Sequence, residues 1–259
     1  MSIHPTAIVD ESSEIAPDAD VGPYSIIGPQ TKIGSGTVLD SHVNIHGWTS
    51  IGARCRFHSH CSVGTDPQDL KYKGETTYLE IGNDNIFREF ITVNRGTEEG
   101  GGTTVIGDNN FFMAYSHIAH DSIVGDHVIM ANAATLAGHV VVGDHATVGA
   151  FSAVHQFCRV GIHAFIGGFS VVTRDALPFI KTVGDRNQAK IYGINTLGLQ
   201  RKNFPEQTIQ ELKQIYRICF RSGLNTADAL TRAKETEWTT PEVKILIDFM
   251  EKSDRGFIR

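Results

Sequence analysis

The stretch HIAHDS, residues 117 to 122, places His117, His120 and Asp121 within six positions. Those side chains are suited to three kinds of role. Neutral imidazoles can ligate a metal. A histidine beside a carboxylate can serve as a general base, the carboxylate fixing its tautomer and stabilising the imidazolium. The same groups can also be plain solvated surface. Further along, Gly138 and His139 stand in LAGHV, and His155 and Gln156 in AVHQFC. What they can do together depends on the elements that carry them.

The elements are legible as a repeat. Apolar residues recur every six positions at Val9, Ile15, Val21, Ile27, Ile33, Leu39, Ile45, Ile51, Phe57 and Val63, and again from Ile106 through Ile118, Val124, Met130, Leu136, Val142, Val148, Val154, Val160 and Ile166 to Val172. Neither a helix nor a hairpin has that period. Glycine often follows the apolar residue, as in KIGSGT and VVGDHA, which is the hexapeptide pattern of a parallel β-helix. Small residues such as Ser25, Thr37, Cys55, Cys61, Ala134 and Cys158 lie four places further on, suiting a narrow inward corner. Three hexads make a triangular coil, so residues eighteen apart stack at the ~4.8 Å spacing of paired strands.

Adding eighteen to the opening motif carries His120 to Gly138 and Gln156, and Asp121 to His139. His117 and His155 lie nearby, and the histidines and carboxylate are expected to point outward from a corner. Two chemistries fit this patch. Three imidazoles could hold zinc with an open fourth position, as in γ-class carbonic anhydrases, although His117 and His120 are three apart where that family has a pair five apart. Alternatively, a histidine base with an orienting carboxylate and a glycine N–H for an oxyanion suits acyl transfer. A non-catalytic scaffold is a third reading that the repeats alone permit.

Composition narrows the classes. With 259 residues, 41% of them hydrophobic, the chain can bury a long core. A net charge of -6 without a basic run argues against nucleic-acid binding. No signal-like N-terminus or membrane-length apolar run is seen, and the four cysteines lack CxxC spacing, so a cytoplasmic protein with reduced thiols and no membrane insertion is expected. Two insertions, 65–80 and 94–104, interrupt the period and are candidate functional loops. After Pro178 the period fails, and residues 206–221 carry Ile209, Leu212, Ile215, Tyr216 and Cys219 at helical spacing. Two more helices are expected near 225–236 and 240–252. The division is a β-helix over 1–190 and a helical domain over 191–259.

QDLKYKGE, IAHDS, LAGHV, AVHQFC and GGFS, followed by GLQRKNF and the ending SDRGFIR, resemble the UDP-N-acetylglucosamine O-acyltransferase family, over nearly the whole chain. The resemblance implies a mainly β protein, a left-handed parallel β-helix with a C-terminal α-helical domain, assembled as a homotrimer with active sites between subunits. It implies transfer of an (R)-3-hydroxyacyl chain from acyl carrier protein, on its phosphopantetheine, to the 3-hydroxyl of UDP-N-acetylglucosamine, the first step of lipid A biosynthesis, without metal or other cofactor. A related hexapeptide enzyme forming an amide on a 3-amino sugar nucleotide is the alternative acceptor chemistry. The glucosamine N-acyltransferase of the same pathway has an additional N-terminal domain, whereas here the repeats begin by residue 9.

Carried over by position, His120 is the base, Asp121 orients it and Gly138 holds the oxyanion. Gln68, Asp69, Lys71, His117, His139, His155 and Gln156 position the substrates, and Asn195 and Arg201 hold the nucleotide. Gly168 in FIGGFS matches the family's acyl ruler, where a glycine leaves the groove open for a chain of about fourteen carbons, each buried methylene contributing ~0.8 kcal/mol. Lys202, Lys213, Arg217 and Arg221 are candidates for docking the carrier protein. The chain departs from the family pattern at Asn94, where a histidine is expected, at Leu197, where an acidic residue is common, and in the longer stretch GDRNQAK.

Overall fold

The computed structural model describes residues 2–186 and 188–259; Met1, and Asn187 within GDRNQAK, lie outside the described residues. Each hexad forms a strand of usually two residues, with the second pointing inward, and then turns a corner. Three sheets result, with eleven, nine and eight strands among the described residues, parallel except for the last strand of the first, and close a triangular left-handed β-helix. The expected register is observed: Ile118 pairs with Leu136, Leu136 with Val154 and Val154 with Val172. All four are buried.

The inward ladder fills the prism at every level. Phe57, Phe87 and Phe112 stack down the axis with centroids 4.5 and 5.0 Å apart. Burying each such side chain stabilises the fold by about 1.5–3 kcal/mol. The small position satisfies the backbone of neighbouring turns. Ser25 Oγ donates to the Asp40 carbonyl at 3.0 Å and accepts from the Val43 N–H at 3.1 Å, a pattern repeated by Thr37 and Ser152. Cys55, Cys61 and Cys158 occupy the same position as free, buried thiols, and Cys219 is free and buried in the helical part. Burial pushes the Cys61 thiol up to about 12 and the Cys158 and Cys219 thiols up to about 11, so all three stay protonated at neutral pH.

Most corners from Tyr24 onward place one residue in the left-handed region, which is costly for residues other than glycine. Asp121 (φ 58°) and His139 (φ 60°) occupy such positions. The geometry is held by the coil before it: the His139 N–H donates to the His120 carbonyl at 3.0 Å.

Both insertions leave the prism at the edge between the second and third sheets. The first lies between strands Ser62–Thr65 and Tyr78–Ile81, and the second between Thr92–Asn94 and Thr103–Ile106, with a 3-10 turn at Glu98–Gly100. Val63 still pairs with Val93 and Val93 with Ile118, so the ladder continues beneath the loops. After the last full coil, Ile180–Val183 extends the first sheet in parallel and Lys190–Ile194 returns antiparallel to it, across the division expected near residue 190. Four helices follow: α1 (Thr196–Arg201), α2 (Glu206–Arg221), α3 (Thr226–Glu235) and α4 (Pro241–Glu251). Helix α2 buries the apolar residues expected from its spacing. The tail is pinned to the prism by Asp175, whose N–H donates to the Gly256 carbonyl and whose carboxylate accepts from Arg159 and Ser253.

Candidate active site

His120 and Asp121 follow Ile118 around the edge between the second and third sheets; Gly138 and His139 follow Leu136 one coil later, and Gln156 follows Val154. His120 Nδ1 lies 2.7 Å from Asp121 Oδ2, so the carboxylate accepts a proton held on Nδ1 and leaves Nε2 as the free lone pair. The Cβ of any residue but glycine at 138 would lie 2.6 Å from His120 Cε1 and 2.8 Å from Nε2. Gly138 is therefore needed for the space the imidazole fills. Among the described residues its N–H has no acceptor, leaving it available to an oxyanion.

Asp121 points away from the prism, as its corner position predicts, but not into solvent: its side chain is 1% exposed and that of His120 13%. The second insertion covers it. Thr97 donates from its backbone N–H to Oδ1 at 2.8 Å and from Oγ1 to Oδ2 at 2.6 Å. Burial alone pushes the carboxyl up, but the donors His120 and Thr97 outweigh it and hold it below its ordinary value. It is thus an anion at neutral pH.

His139 is perpendicular to His120 at a centroid distance of 5.2 Å, with Nε2 3.7 Å from Asp121 Oδ2. Its other side stacks on Phe157 at 4.4 Å. His117 Nδ1 pairs with Thr92 Oγ1 at 2.7 Å on the second sheet, and burial, followed by the charge of His120, pushes its pKa down. His155 and Gln156 lie on the next coil, Gln156 exposed. Thr92, Thr97 and Phe157 are site residues that the sequence reading did not single out.

The first insertion reaches the site through the second. Lys71 Nζ pairs with Glu99 at 2.9 Å, and Asp69 Oδ1 accepts the Lys71 N–H at 2.9 Å. Asp69, Lys71 and Thr97 share a cavity of roughly 180 Å³, while Gln68 is exposed nearby. Asn94 anchors the loop, donating to Thr65 Oγ1 and the Asp66 carbonyl at 2.6 and 2.9 Å. Arg95 does likewise, with Gly64, Asp66 and Tyr72 as its acceptors.

Asn195 and Arg201 lie elsewhere, against the edge between the third and first sheets, lining a cavity of roughly 680 Å³ with Leu197, Lys202 and the stacked rings of His127, His145 and His163. The Asn195 side chain caps α1, accepting the Gly198 N–H at 3.3 Å, and donates to the His163 carbonyl at 3.2 Å. Gly168 stands at the remaining edge, between the first and second sheets; a Cβ there would touch only the Ala150 backbone, at 3.3 Å or more. Its φ is not left-handed, so backbone conformation alone does not call for a glycine there. The residues expected to form the three subsites therefore lie on three different edges of one chain.

The coiled hexads with a histidine–aspartate pair on one edge define a hexapeptide-repeat transferase, and the model of bacterial transferase hexapeptide repeats matches residues 103–138. The C-terminal part, residues 175–258, matches the model of UDP-N-acetylglucosamine O-acyltransferase domain 2. The chain is 49% identical to the acyl-[acyl-carrier-protein]–UDP-N-acetylglucosamine O-acyltransferase of Syntrophobacter fumaroxidans over all of both chains, and 49% identical to that of Thermodesulfovibrio yellowstonii over 99% of both. Its fold is similar to the UDP-N-acetylglucosamine O-acyltransferase of Moraxella catarrhalis (TM-score 0.95, 43% identity, 100% of both chains) and to that of Francisella novicida (TM-score 0.96, 38% identity, 99% of this chain and 94% of the other). The chain belongs to the UDP-N-acetylglucosamine O-acyltransferase family and is an acyltransferase. No described helix is long and apolar enough to cross a membrane.

Proposed function

We propose that the chain transfers an (R)-3-hydroxyacyl group from acyl carrier protein to the 3-hydroxyl of UDP-N-acetylglucosamine, the entry step to lipid A, with His120 as general base. One observation carries the mechanism: an imidazole with Nδ1 bound to a buried carboxylate, packed against a glycine whose N–H has no acceptor among the described residues. Nε2 takes the proton of the sugar hydroxyl as its oxygen attacks the thioester carbonyl carbon. The C–O bond forms, and the oxyanion accepts the Gly138 N–H. The C–S bond then breaks, and the imidazolium returns the proton to the departing phosphopantetheine sulfur. Asp121 stabilises that imidazolium throughout.

His120, Asp121 and His139 are also close enough together to be weighed as a metal site. The donor set speaks against it, because both carboxylate oxygens already accept hydrogen bonds from Thr97 and the His120 contact has hydrogen-bond length. No step requires a cofactor beyond the carrier's own phosphopantetheine.

The three edges support a homotrimer. With the second sheet of one copy facing the first sheet of the next, the His120 edge of one approaches the Asn195 and Arg201 edge of the other. The edges carrying Gly168 then gather at the centre, where Tyr24, Tyr115, Phe151 and Phe169 form a stripe of rings 59–72% exposed in the single chain.

The test is product analysis. Incubation with 3-hydroxyacyl carrier-protein thioesters and UDP-N-acetylglucosamine should give an acylated sugar nucleotide whose chain is released by mild alkali, as an ester is, with turnover insensitive to chelator. Acylation only of a 3-amino acceptor, giving an alkali-stable amide, would overturn the O-acyl reading; loss of turnover with chelator would restore the zinc one.

A further inference from the structure

We infer that the second insertion is a positioning clamp on the base, with Thr97 as its acting residue and Gly100 as the close-approach point that lets it seat. The inference rests on His120 being the base.

Three observations carry it. Thr97 presents two donors to one buried carboxylate, its N–H to Oδ1 and its hydroxyl to Oδ2, the oxygen that also holds His120 Nδ1. The hydroxyl has a single proton, and its direction is set: Oγ1 accepts the Gly100 N–H at 3.1 Å, leaving the proton for Asp121. Gly100 itself lies flush against the carboxylate, since a Cβ there would fall 2.1 Å from Asp121 Cγ and 2.3 Å from each oxygen. The loop therefore seals the carboxylate from water and fixes its plane. From the opposite side the Asp121 N–H donates at 2.8 Å to Thr104 Oγ1, buried on the strand that follows the insertion, so the residue is gripped from both ends. With Asp121 immobile, the Nδ1 contact holds the His120 ring in one orientation, and Nε2 in one place. A side chain that positions another group should affect turnover rather than substrate affinity.

Thr97→Val keeps the β-branched shape and the backbone donor but removes the hydroxyl. It should lower kcat by about ten- to a hundredfold, the range for losing a hydrogen bond to a charged group, while KM for both substrates stays within about twofold. Thr97→Ser should restore most of the turnover. Gly100→Ala, which lifts the loop without removing a donor, should reproduce the kcat loss. Combining Thr97→Val with His120→Ala separates the two claims. If Thr97 acts through His120, the double variant is no slower than His120→Ala alone. A Thr97→Val effect that persists in full without His120, or one confined to KM or melting temperature, overturns the clamp and leaves the base intact. Near-normal turnover of His120→Ala overturns both.

Discussion

Two glycines in this chain do opposite things, and neither has the left-handed backbone that would call for glycine by itself. At Gly138 the missing side chain is replaced by the His120 imidazole, so Gly138→Ala must displace the ring from its place beside the N–H. Turnover should fall by roughly 10²-fold or more, the scale of losing an oxyanion donor or its alignment. The melting temperature should move little, because His120 is not in the core. Steady-state kinetics and a thermal melt on the same sample check both. At Gly168 an added side chain displaces no other side chain, its Cβ meeting the Ala150 backbone at 3.3 Å, a contact relieved by a shift of a few tenths of an ångström. Gly168→Met should therefore leave kcat intact and shift the preferred donor from about fourteen carbons to one several carbons shorter, each excluded methylene being worth ~0.8 kcal/mol. Competition between ten- and fourteen-carbon thioesters measures this. If the unsubstituted protein already favours ten carbons, Gly168 is not the ruler and Phe169, 72% exposed beside it, is the residue to change next.

One corner ladder carries a pH dependence. His127, His145 and His163 stack at centroid distances of 4.6 Å along one edge. Burial first, and then the neighbouring His145 and Lys202, push the His163 imidazole from its ordinary 6.5 down to about 4. Between those values the unfolded chain binds the proton and the folded chain does not, so this contribution to stability is whole above about 6.5 and is lost as pH falls towards about 4. His163→Phe keeps the stacking and should flatten the decline of melting temperature across that window; an unchanged slope would contradict the burial argument. The inward strand ladders were what the sequence made plainest. Ile118, Leu136, Val154 and Val172 could be placed by counting, because every coil repeats the same packing. Phe157 could have been found by the same count, eighteen past His139. The burial of Asp121 could not. Its cover, Thr97 to Gly100, lies in an aperiodic insertion whose landing place is set by three-dimensional contacts, and its composition reads as an open loop. The one available signal was Thr97 ahead of two glutamates, a turn-capping pattern.

For the whole molecule, the proposed placement of three subsites on three edges predicts that one chain alone is not a complete enzyme. Native mass should correspond to three chains, and a fully active monomer at assay concentration would contradict that. Sharing of the site predicts complementation. His120→Ala and Arg201→Ala chains, each nearly inactive alone, should regain activity when co-assembled, because an interface pairing the intact His120 edge of one with the intact Arg201 edge of the other occurs in about a quarter of randomly formed contacts. Absence of any recovery in verified mixed trimers would place the whole site on one chain. The dependence of acyl transfer on a single imidazole is measured most directly by kcat of His120→Ala at saturating donor and acceptor. The expected result is a fall of about 10²–10⁴-fold in an assembled protein of unchanged melting temperature, and turnover within a few fold of the unsubstituted protein would contradict it.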